Sequence, residues 1–167
     1  MILHPATAHF AIVLPIIATI IGVLYILKPS ETVSKVSAIF ILFAAIFIAF
    51  AYFAGKEDGA EVYKFLSLEG KALLKEHAKL GQYLAISMGI VAIIELFGFY
   101  KKLFKVEILA VVLLASVAGT TLYQGKMGGE LTYTYGAHVK DHAEGRACLA
   151  ENAMDDDDEE DDDSEAN

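Results

Sequence analysis

The sequence predicts an all-α integral membrane protein: a four-helix transmembrane bundle followed by a disordered acidic C-terminal tail. Three observations lead there. The 167-residue chain is 56% hydrophobic and only 21% charged, more apolar than an average soluble domain of its size. Four stretches reach the length of about 20 mainly apolar residues that a bilayer span requires. The acidic excess sits at one end, where 155–163 is an unbroken run of nine acids and Glu165 adds a tenth, so the other 12 acids are matched by 13 Lys and Arg.

The first predicted span, 5–27, contains no Asp, Glu, Lys or Arg. It lacks a basic n-region and is longer than the apolar core of a signal peptide, so it is expected to be retained. The second, 36–54, is also free of charge; the third, 80–100, holds one acid at Glu95, and the fourth, 106–124, has Glu107 at its entry. Each is too long for a strand and too continuously apolar for a surface helix.

Four spans place both termini on one side, together with the long connector 55–79. The two short loops on the other side carry Lys28, Lys35, Lys101, Lys102 and Lys105, whereas no Lys or Arg precedes the first span. By the positive-inside rule the short loops face the cytoplasm. In a bacterial inner membrane both termini are then periplasmic.

In the connector, Val62, Phe65, Leu66, Leu73, Leu74, His77, Leu80, Gly81 and Leu84 recur at helical spacing. The third helix is therefore expected to start near Glu69 and to enter the apolar layer after Lys79. Beyond Gln124, glycines at 125, 128, 129 and 136 punctuate 131–135, which reads as a packed turn or short cap. The organisation is a membrane domain over 1–142 and a tail over 143–167, disordered by its composition.

Several functions are excluded at this point. There is no basic face for nucleic acid, and the single Cys148 rules out an intramolecular disulfide framework or a thiolate-built metal site. No nucleophile-elbow, Walker, Rossmann or H-E-x-x-H motif is present. The chain reads as a binding or electron-carrying subunit rather than a catalyst.

All five histidines, His4, His9, His77, His138 and His142, fall on the side of the termini. His4 serves as the entry of the first helix with Pro5 in its first turn, His9 lies further in, and His77 precedes the apolar part of the third helix. His9 and His77 thus reach similar depth on two helices, the arrangement an axial pair for haem iron requires. A porphyrin also needs small residues beside it; Gly81 follows His77 by one turn, and Ala115, Ala118 and Gly119 lie on the fourth helix. Interfacial or hydrogen-bonded histidines in a closely packed bundle fit the same pattern. His4 and His9 are five apart, not the three or four that stack two ligands on one helix face. Glu57, Asp58 and Glu69 could add oxygen ligands to a metal site, although carboxylates in an aqueous loop are ordinarily solvated.

Glu95 is the one ionisable residue inside a span and a functional candidate on that ground. Its place near the helix end favours an interfacial salt bridge with Lys102 or Lys105 over a proton relay. Tyr100, Tyr123, Tyr133 and Tyr135 read as interface anchors. The nine-acid run reads as a solvated, self-repelling tail; the sharper alternative is capture of cations or of a basic soluble cytochrome.

Two segments carry a family resemblance. His4, Pro5, Ala6, Thr7, Ala8, His9 and Phe10 resemble an H-P-x-x-V-H-F-P start, and 128–139, from Gly128 to Val139, resembles G-G-x-L-V-Y-x-x-G-x-G-V. Between them, Gly55 to Asp58 is similar to a G-x-x-D turn, and His77 with Gly81 to an H-x-x-x-G element. The pattern resembles a bacterial predicted membrane-protein family, domain of unknown function 2231, over residues about 4 to 139. Ala8, Ala11 and Thr132 depart from it, and His138 stands where the family has Gly, which removes His138 as a ligand candidate.

The resemblance implies four membrane helices with His4, His9 and His77 on one side. It also implies a redox setting, since relatives are joined to cytochrome c or Rieske domains. The preferred expectation is a haem b subunit with His9 and His77 as axial ligands to the haem iron and His4 as a supporting donor or alternative ligand. Gly81 and Gly119 would give room for the ring, and the segment with Gly128, Gly129 and Tyr133 would cover it. Its partners would be the lipid bilayer, a cytochrome c or other redox protein, and a second copy in a homo-oligomer. Two alternatives stand beside it: a cofactor-free structural or assembly subunit, and a metal-ion binding or transport protein.

Overall fold

The computed structural model describes residues 3–137; the acidic run, His138, His142 and Cys148 lie outside them. Helix α1 spans Leu3–Leu27, α2 Glu31–Val62, α3 Leu68–Lys101 and α4 Phe104–Tyr133, with a short 3-10 turn at Tyr63–Phe65. All four are long and apolar enough to cross a membrane. Among the described residues there is no strand.

The helices begin and end for local reasons. Ser30 accepts a hydrogen bond from the Val33 N–H and starts α2, and Ser67 accepts one from the Gly70 N–H and starts α3, each supplying a partner for a first-turn donor. Lys102, at φ 54°, turns the chain from α3 into α4. There the Lys102 N–H bonds the Phe99 carbonyl and the Leu103 N–H bonds the Gly98 carbonyl, a Schellman closure with lysine where glycine is usual. Pro15 lies inside α1, which removes one backbone donor; a membrane bundle tolerates this where neighbouring helices pack closely.

Short connections make the bundle run up, down, up, down. The principal neighbours of α1 are α2 and α4, and those of α3 are also α2 and α4. The core is built of Ala18, Ile41, Ala44, Ile48, Leu84, Met88, Val91, Ala92, Leu114 and Val117. Phe10, Ile20, Phe43, Phe50, Ile86, Ile93 and Val112 are exposed, as the apolar outer surface of a bilayer protein must be. Small residues draw the helices together: a Cβ at Gly22 would lie 2.6 Å from Val111 Cγ2, and one at Gly125 would lie 2.8 Å from Ile12 Cδ1.

The helices outrun the expected spans at the end where α1 begins. α2 continues through Gly55 to Val62, so the first third of the expected connector is helix. α4 continues through Gly125, Gly128 and Gly129 to Tyr133, where a turn or cap was expected. Glycine in a helix costs about 1 kcal/mol relative to Ala, and close packing at Gly125 and Gly128 offsets it. A second, smaller cluster of Leu66, Leu131 and Ala137, with Val62, Leu73, Leu74 and Tyr135 against it, closes this end.

Candidate functional site

One polar side chain from each helix arrives at the end of the bundle where α1 starts. The first-turn N–H of His4 on α1 has no partner within its own helix, and the Asp58 carboxylate on α2 accepts it at 3.3 Å. Asp58 is only 2% exposed. The His4 ring lies against α2: its Nδ1 donates to the Ala51 carbonyl oxygen at 2.9 Å. Gly55 makes this approach possible, because a Cβ there would lie 2.7 Å from the ring.

His77 comes from α3 and meets the His4 ring edge to face, with centroids 6.2 Å apart and planes at 89°. Its Nδ1 is buried and has no hydrogen-bond partner. Gln124 on α4 donates from Nε2 to the His77 backbone carbonyl at 2.8 Å, while its Oε1 is buried without a partner. Gly81 leaves room for that carboxamide, which a Cβ would approach to 3.2 Å, and Gly128 faces His77 Cε1 at 3.4 Å.

The structure brings His4, not His9, to His77. His9 is exposed and its Nδ1 lies 2.8 Å from the Pro5 carbonyl of its own helix. Three other expected contributors stand apart. Gly119 is exposed with nothing within 4 Å of its Cβ position, and Tyr133 is 91% exposed. Gly129 likewise has nothing within 4 Å of its Cβ position. Asp58, read from the sequence as a solvated loop carboxylate, is buried on a helix, while Glu57 and Glu69 are exposed. Gln124 was not anticipated; it continues the buried stripe of Val117 and Thr121 along α4 at spacings of four and three, which marks its face but not its target.

The opposite end holds a second polar cluster. Glu107 of α4 is 2% exposed and accepts hydrogen bonds from the Tyr25 hydroxyl of α1, at 3.0 Å, and from the Ser34 hydroxyl of α2. Glu95 of α3 is fully buried, and neither carboxylate oxygen has a hydrogen-bond partner. This corrects the expected salt bridge: Lys102 pairs instead with Glu31, both exposed, at 3.7 Å.

Four membrane-length helices with a polar cluster at each end define an integral membrane bundle protein. The chain belongs to the predicted membrane protein family DUF2231, whose profile matches residues 1–141. No curated protein matches the chain, and no solved structure matches it. The segments that carry the family resemblance meet at the first site, through His4, Gly55, Asp58, His77, Gly81 and Gly128.

Proposed function

We propose that the chain is a haem b-binding membrane protein that holds the iron through His4 and His77 and exchanges electrons with a redox partner. The observation that carries this reading is the meeting of two imidazoles from different helices, 6.2 Å apart between centroids. Two imidazoles are what a bis-histidine haem iron takes from its protein. A haem held by the two imidazoles would supply one-electron transfer between ferric and ferrous iron.

The chain's own groups suit such a ligand pair. The His4 Nδ1 proton is held by the Ala51 carbonyl, the kind of hydrogen bond that fixes the tautomer and orientation of an axial imidazole. The buried, unpartnered Nδ1 of His77 leaves that ring with hydrogen-bonding capacity that the protein does not use. Gly55, Gly81 and Gly128 let His4, Gln124 and His77 pack close together at this end of the bundle. With the lysine-rich short loops on the cytoplasmic side, the site lies at the periplasmic face of a bacterial inner membrane. A soluble cytochrome c or another periplasmic redox protein is the fitting partner.

A second reading, a cofactor-free assembly subunit, is favoured by one specific contact: the His4 ring seated over Gly55 clasps α1 to α2 without any ligand. Purification of the full chain in mild detergent from haem-replete cells separates the two. The haem reading expects a near-stoichiometric b-type spectrum in the pyridine haemochrome assay. A colourless, monodisperse, folded protein would overturn it and leave the clasp.

A further inference from the structure

The second polar cluster holds two buried carboxyl groups with no basic side chain beside them. Glu95 and Glu107 are both buried, while Lys28, Lys35, Lys101, Lys102 and Lys105 at the same end are all exposed. Buried carboxylates left without a counter-charge are strongly destabilising. Glu107 is partly satisfied by Tyr25 and Ser34; Glu95 is not satisfied at all. The hydroxyl of Ser37 on α2 is also fully buried and unpartnered. The Glu107 side chain packs on Gly98, one turn from Glu95 along α3, and is bonded by Ser34, one turn from Ser37 along α2, and by Tyr25 of α1, which gathers these groups around Glu95.

A cavity of about 560 Å³ at the short-loop end is lined by Tyr25, Ser34 and Glu107, with Glu31, Lys102 and Phe104 among the residues of its wall. It ends at Glu107; Glu95 and Ser37 are buried beyond its lining.

We propose that Glu95, Glu107 and Ser37 form a binding site for one small, hard monovalent cation of the sodium class, entered through this cavity from the short-loop end. Every donor is an oxygen, which selects hard cations over soft ones. Both Glu107 oxygens already accept hydrogen bonds, so the unpartnered donors are the two Glu95 oxygens and the Ser37 hydroxyl, one free carboxyl group for one monovalent charge. Three helices contribute, with Ser37 on α2, Glu95 on α3 and Glu107 on α4, and Tyr25 of α1 holds Glu107 through its hydroxyl, so the ion ties the bundle together. A proton on Glu95 neutralises the same charge, and the cation and the proton therefore compete.

Equilibrium binding of radiolabelled sodium to the full chain in detergent tests this. Saturable binding of one sodium per chain is expected at alkaline pH, displaced by unlabelled sodium and by acid but not by choline. Glu95→Gln is expected to weaken it at least about tenfold, equivalent to roughly 1.4 kcal/mol. Ser37→Ala, which keeps both carboxylates and disturbs packing least, is expected to weaken it severalfold with unchanged helicity. Absence of saturable sodium binding at alkaline pH, or wild-type affinity in Ser37→Ala, would overturn the proposal. His4→Ala leaves sodium binding unchanged, because the two clusters sit at opposite ends.

Discussion

The His4 and His77 rings meet edge to face, 6.2 Å between centroids, across the bundle interior between the diagonally placed first and third helices. That relationship depends on the backbone beneath it. His4 reaches inward because Asp58 anchors its N–H, Ala51 accepts from its ring and Gly55 leaves the space.

Gly55→Ala places a carbon 2.7 Å from the His4 ring, so α1 must move away from α2. Overpacking of this kind costs about 1–3 kcal/mol. The expected outcome is a lower unfolding temperature in detergent and, on the haem reading, loss of the haem spectrum. An unchanged melting curve would show that the His4 ring sits elsewhere.

Asp58 acts as a cap supplied by a neighbouring helix. Asp58→Ala leaves the His4 N–H unanswered and is expected to destabilise the protein by about 1–2 kcal/mol. Asp58→Asn keeps an acceptor and is expected to lose less. Comparison of the two variants by thermal unfolding checks the order.

Tyr25→Phe removes the hydroxyl that donates to buried Glu107. Hydrogen bonds to a charged group contribute about 1.5–3 kcal/mol, and a loss of that order is expected. A neutral effect on thermal stability would mean that Glu107 finds another donor.

Lys102 holds the left-handed turn between α3 and α4, a conformation that costs a side-chain-bearing residue about 1–2 kcal/mol relative to glycine. Its ion pair with Glu31 is exposed and contributes little. Lys102→Gly is therefore expected to raise stability by up to about 1 kcal/mol, readable as a higher melting temperature.

Much of this architecture is legible in the sequence, because uninterrupted apolar runs specify membrane helices almost by length alone. The helix ends were less legible. Gly55 and Gly125 resemble breakers in isolation, yet each is required where His4 or Ile12 presses on the helix. The choice between His4 and His9 was not readable either. Five residues separate the two rings by roughly 140° around a helix, which says they face apart but not which faces inward. That is decided by Asp58, whose burial depends on α2 running on to Val62. Glu95 did leave a signal: it continues the buried stripe of Leu84, Met88 and Val91 at spacings of three and four.

The most direct measurement is the reduced-minus-oxidised absorption spectrum of the detergent-purified chain, with haem stoichiometry, for wild type, His4→Ala, His77→Ala and His9→Ala. The account predicts about one haem b per chain in the wild type, retention of the spectrum in His9→Ala, and its loss in both of the other variants while their helicity persists. A wild-type protein without haem, or a spectrum that survives removal of His77, would contradict it.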